Sequence, residues 1–148
     1  MNEFKPFDDK LAGLIGALSQ ASRRKLAAEI AKELRRSQQQ RIKQQKAPDG
    51  KPYQVRKRQP LRAKKGRIKR AMFQKLRTSR YMKASGRNDV AVVEFTGKVQ
   101  RIAQIHQYGL KDRPNPYTQD VQYPERQLLG FSTLDKRFTE DLICKFLM

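Results

Sequence analysis

The chain has 148 residues and carries 34 Lys and Arg against 14 Asp and Glu, a formal net charge of +20, with one histidine and one cysteine. A lone cysteine excludes an internal disulfide and any CxxC zinc or redox pair. No apolar run approaches the roughly 18 residues of a membrane span, and the opening "MNEFKPFDDK" lacks the basic-then-apolar order of a signal peptide.

Hydrophobic residues make up 37% of the chain, enough for one modest core and consistent with a fold stabilised against copies of itself. "FDDKLAGLIGALSQ" predicts a short amphipathic helix. Asp8 and Asp9 suit its positive end, and Leu11, Leu14, Ile15 and Leu18 share one face. Gly13 and Gly16 weaken it intrinsically, so packing has to hold it. A longer helix is expected over 20–46, with an apolar stripe of Leu26, Ile30 and Leu34 widened by Ala27 and Ala31. Beyond Ser37, "QQQRIKQQK" offers only Ile42 to a core, so that half is expected to project from the body. Pro48, Asp49 and Gly50 end it with turn chemistry.

From Lys51 to Arg87 there are 15 Lys or Arg and no acid. Pro52 and Pro60 oppose a helix, which predicts an exposed loop over 51–66. "IKRAMFQKLRTS" predicts a short helix carrying Ile68, Met72, Phe73 and Leu76. "RYMKASGRNDVAVVEFTG" has the pattern of a β-hairpin. Gly86, Asn88 and Asp89 supply its turn, and Val90, Val92, Val93 and Phe95 form its second strand. A helix over 98–108 places Val99, Ile102, Ala103 and His106 on one face, with Gly109 as its left-handed C-cap. "KDRPNPYTQDVQYPERQLLG" is mainly loop, with a short strand near its end. In the closing helix Ser132 and Asp135 stand at capping-box spacing, and Leu134, Phe138 and Leu142 line one face. The expected organisation is one α+β domain over 1–148: N-terminal helices within 7–46, a basic exposed arm over 47–66, and an α+β body over 67–148. That body holds a β-hairpin or small antiparallel sheet and a C-terminal helix.

Catalytic and metal chemistry find little support. Zinc needs three or four ligands, and His106 has only Cys144 and scattered acids to join it. No nucleophile signature surrounds it, so a His106 hydrolase ranks last. The expectation instead is that one imidazole nitrogen ties down the corner at Gly109 while the ring packs below Ile102. The pairs Asp8-Asp9 and Glu140-Asp141 diverge by about 100° on a helix and do not converge on a substrate. "GRIKR" and "DGKPY" lack P-loop spacing. No cofactor or metal is expected.

An excess of positive charge this large repels itself and calls for an acidic partner: nucleic acid, a membrane surface or another protein's acidic face. The basic tract contains Arg56, Lys57, Arg58, Arg62, Lys64, Lys65, Arg67, Lys69 and Arg70. Interleaved with Tyr53, Phe73 and Tyr81, it fits phosphate neutralisation and base stacking, yet no helix-turn-helix, zinc-finger or RNP signature accompanies it. A nucleic-acid-binding accessory protein is therefore the alternative reading.

The order of features decides the main one. "KLRTSRYMKA" precedes the strand "VAVVEFTG", "RIAQIHQYG" follows, and "YPERQLLGFS" leads into the last helix. From about Lys75 to the C-terminus this resembles the phage virion morphogenesis family, the S-type tail completion proteins of contractile-tailed temperate phages. The family's His-Gln-x-Gly element falls on His106, Gln107 and Gly109. Its Pro-x-Arg and Leu-Gly elements fall on Pro124, Arg126, Leu129 and Gly130, with Gln127 where many relatives carry proline.

The resemblance implies a non-catalytic virion structural protein that completes the tail and joins it to the filled head. It would sit in the neck region after assembly in the host cytoplasm, with no membrane role. The implied partners are copies of itself in a ring, a tail terminator or tail tube, head-neck proteins and the genome end. A hexamer follows by analogy with tail symmetry; a dodecamer suits the portal side. The loop over 111–122 and the arm over 47–66 would order on meeting a neighbour. Arg126 would hold a partner's carboxylate or an internal one through two hydrogen bonds.

Overall fold

The computed structural model describes residues 5–56, 71–87 and 90–147. It is an α+β fold with two small antiparallel sheets. Helices α1 (Lys5–Gly16) and α2 (Gln20–Lys43) precede the hairpin of β1 (Met82–Arg87) and β2 (Val90–Phe95). Helix α3 (Gly97–Tyr108), the short strands β3 (Lys111–Asp112) and β4 (Val121–Gln122), and helix α4 (Thr133–Leu147) follow.

Ser19 starts α2, its hydroxyl accepting from the Ser22 N–H at 3.2 Å, which satisfies one of the free donors of the first turn. Leu26, Ala27, Ala31 and Leu34 are buried as their spacing predicts. The second half of α2 does not project. Gln38, Arg41 and Ile42 are buried, Ile42 completely, because 31, 34, 38, 41 and 42 continue one helical stripe in which polar side chains replace apolar ones. Ile42 joins Tyr53, Met72, Phe73, Leu76, Met82, Phe95, Ala103 and Leu128 in the main core. Complete burial of a large apolar side chain is worth roughly 1.5–3 kcal/mol, so the segment expected at the periphery supplies a principal core residue.

Residues 71–81 form successive turns rather than a helix. Phe73 adopts φ 65°, a left-handed value that interrupts helical hydrogen bonding. Met72, Phe73 and Leu76 are nonetheless buried, so the apolar spacing identified the core residues and misidentified the backbone. Ile68 lies outside the described residues.

Gly86 belongs to β1 and pairs with Ala91; it does not turn the hairpin. Asn88 and Asp89 lie outside the described residues. Gly86 is small because α2 crosses the strand there. A Cβ would collide with the Ala28 backbone nitrogen, and it would lie 2.8 Å from Ala28 Cα and 2.9 Å from the Arg24 carbonyl oxygen.

In α4 the capping box forms as expected: Asp135 N–H donates to Ser132 Oγ at 3.1 Å and Ser132 N–H to Asp135 Oδ2 at 3.0 Å. Leu134 does not line the inner face; it is 71% exposed, since Asp135 takes the inward position one residue on. Among the described residues no helix is long and apolar enough to cross a membrane.

Gly86→Ala should cost about 2 kcal/mol, the penalty of forcing a methyl into a closed backbone contact. Urea denaturation followed by circular dichroism measures it.

Candidate assembly site

Helix α3 ends in a left-handed glycine, Gly109 at φ 63° and ψ 58°. Its N–H and that of Leu110 both bond the Ile105 carbonyl, the latter at 2.9 Å, a Schellman-type closure. A Cβ on Gly109 would lie 2.8 Å from Glu125 N, so glycine serves both the turn and the close passage of the 123–130 segment. The Gln122 side chain donates to the Gly109 carbonyl at 2.6 Å and the Tyr123 N–H to the Leu110 carbonyl at 3.2 Å.

The segment from Pro124 to Gly130 lies outside any sheet, with Arg126 and Leu128 buried, and side chains supply most of the hydrogen bonds that its backbone makes among the described residues. Arg126 N–H donates to the His106 carbonyl at 2.7 Å. Gln107 Oε1 accepts from Leu128 N–H at 2.8 Å and Leu129 N–H at 2.9 Å, while its Nε2 donates to the Leu129 carbonyl at 2.9 Å. Tyr53 Oη donates to the Gln127 carbonyl and Arg41 Nη2 to the Leu128 carbonyl, each at 2.7 Å. Gly130 N–H reaches Gln38 Oε1 at 3.2 Å.

A second layer holds these side chains. Arg41 donates to Gln38 Oε1, Ser37 Oγ donates to Asp135 Oδ1, and Gln38 Nε2 donates to Asp135 Oδ2 at 3.2 Å. Asp135 is completely buried. Burial lowers the Arg41 pKa, opposed by Tyr53 and Asp135, and burial raises that of Tyr53 against the pull of Arg41. The sequence motifs thus meet in space: Gln107 holds Leu129, His106 holds Arg126, and Gly130 closes on Pro48. Gln38, Arg41, Tyr53 and Asp135 were not among the predicted site residues. The signal for the first two was available, since they sit on the α2 stripe.

Two expectations about individual residues change. No imidazole nitrogen of His106 ties down Gly109; Nδ1 is buried without a hydrogen-bond partner. The ring stands edge-on between Phe73 and Tyr123, with centroids at 4.9 and 5.2 Å. The buried residues of α3 are Ala103 and Ile105, and Ile102 is 50% exposed. Burial, then the charges of Arg126 and Arg56, lower the His106 pKa to about 4. Among the described residues Arg126 meets no carboxylate. It is buried, and its Nε and Nη2 donate to the carbonyls of Gln54 at 2.8 Å and Val55 at 3.4 Å, because the incoming arm passes over it.

That arm is anchored at its start. Tyr53 N–H bonds the Gln45 carbonyl at 2.7 Å and Ala47 N–H the Lys51 carbonyl at 2.8 Å. Tyr53 and Phe73 are core residues, packed edge to face at 5.7 Å, and neither offers a face for a base to stack on. Arg56 is exposed. Lys57, Arg58, Arg62, Lys64, Lys65, Arg67, Lys69 and Arg70 lie outside the described residues. The loop over 111–122 closes on itself through the β3–β4 pairing and is tied to α3 by the Arg101–Asp112 ion pair at 2.5 Å.

Residues 2–148 match the phage virion morphogenesis family. The chain is 49% identical to tail completion protein S of Escherichia phage P2 over 144 residues, 97% of this chain and 96% of the relative. No solved structure shows a significant match.

Gln107→Ala strips buried partners from Leu128 and Leu129 and should lower stability by about 3 kcal/mol, measurable by urea denaturation. His106 predicts a pH effect. With its folded pKa near 4, below the unfolded value of 6.5, the unfolded chain binds the proton more readily. The contribution of His106 is complete above pH 6.5 and is lost as pH falls towards 4. His106→Phe, which keeps a ring between Phe73 and Tyr123, should show a smaller loss of stability than the wild type between pH 7 and 4.

Proposed function

The chain belongs to the phage virion morphogenesis family, structural proteins of tail completion that carry no catalysis, and from that premise we propose that it joins the completed tail to the filled head by docking as a ring. One contact repeated between unlike surfaces closes a ring, with a hexamer matching tail symmetry and a dodecamer the portal side. Its other contacts are with the tail terminator or tail tube and with head-neck proteins, which places it in the virion neck.

The observation that carries this reading is the interlocked corner. The two motifs, His106–Gln107–Gly109 and Pro124–Arg126–Leu129–Gly130, are spent on fixing an irregular segment rather than on assembling a nucleophile, a base or a ligand set. A rigid irregular corner supports a role in shape recognition, and the net charge of +20 supports an acidic protein neighbour or the genome end opposite it.

Infection with phage lacking this protein should yield filled heads and finished tails that do not join stably. Electron microscopy of lysates reads this directly, and joined infectious particles in its absence would contradict the reading.

A further inference from the structure

We propose that the cavity beside His106 is a docking groove for a short segment of an acidic virion protein, an apolar side chain flanked by carboxylates; this rests on the docking function above. A cavity of about 710 Å³ opens between the turns at 71–76, helix α3 and the β4–Pro124 segment. That size lies within the roughly 300–1,000 Å³ of pockets that accept a bulky ligand group. Its wall includes the edge-to-face row of Phe73, His106 and Tyr123, with Ile102 and Val121 beside it. Ile102 is an isoleucine left 50% exposed in the middle of α3, where an inserted apolar side chain would cover it.

Among the described residues the charged ones lining the cavity are Arg56, Lys75 and Arg126, with no Asp or Glu. Arg126 is committed to the Gln54 and Val55 carbonyls, so it contributes positive potential, while Lys75 is exposed. An apolar wall with a cationic lining selects an apolar anchor carrying negative charge. Nucleic acid fits less well, because bases need open aromatic faces to stack on and Phe73 is buried with its neighbours packed edge-on. A second copy of this chain fits less well too, since it brings a like charge of +20.

The test uses the full chain supplied to a phage that lacks it. With benzoylphenylalanine in place of Ile102, irradiated particles should yield a crosslink to a peptide of another virion protein in which Asp or Glu flanks an apolar residue. Attachment only to residues 57–70 of the same chain, to a second copy or to DNA, or no crosslink in assembled particles, would overturn the proposal. In parallel, Ile102→Glu and Lys75→Glu alter exposed positions and should melt like the wild type, yet enter particles about 30-fold less efficiently, the loss expected of a central contact residue. Lys32→Glu, on the exposed face of α2, should enter normally. Normal entry of both groove variants would reject the groove while leaving the docking function standing. That function fails separately if particles join without the protein.

Discussion

A chain that passes through the interior outside any sheet must still find partners for its N–H and carbonyl groups, each of which costs roughly 1–3 kcal/mol if left unmet. In this protein the segment 126–130 sets that demand, and much of the rest is arranged to meet it. Gln107 from α3, Gln38 and Arg41 from α2, and Tyr53 from the arm each reach it. Asp135 at the start of α4 then holds Gln38 and Ser37. The polar half of α2 is buried for this purpose, and the apolar core gathers around Ile42 and Leu128. The polar lattice fixes where the elements meet, and apolar burial supplies the bulk of the stabilisation.

What was legible in the sequence follows from this division. Periodicity found the helices, and local chemistry found the Gly109 cap and the Ser132–Asp135 box, since those signals lie within a few residues. The family resemblance rested on the spacing of two motifs and matches the relationship now seen over residues 2–148. Apolar periodicity assigned Gln38 and Arg41 to solvent because it counts polar residues as surface, and their partners lie 92 and 87 positions away. Gly86 looked like a turn residue because the crossing of α2 that requires it is a tertiary fact. The helix expected around Phe73 gave way to a left-handed residue that core packing imposes. The companions of the His106 ring, Phe73 and Tyr123, come from distant segments and left no local signal.

The same division explains how so basic a chain folds. Arg41 through its two Nη groups, and Arg126 through Nε and Nη2, are held out of water by carbonyls and by Gln38, the arrangement a planar guanidinium suits better than an ammonium. Helix α4 balances its charge within itself, with Lys136, Arg137 and Lys145 against Asp135, Glu140 and Asp141. Positive charge is therefore concentrated between the terminal helices, where a neighbour of opposite sign has most to gain.

The grip of Arg126 has a mechanical side. Its guanidinium holds the backbone at Gln54 and Val55, while its own N–H holds the end of α3 at His106. Tension pulling on the chain where the cationic tract begins is thus carried through Arg126, and behind it through Tyr53, into the middle of the body, bypassing the small hairpin at 111–122. A part of a phage tail is served by such a load path, short and ending in the interior.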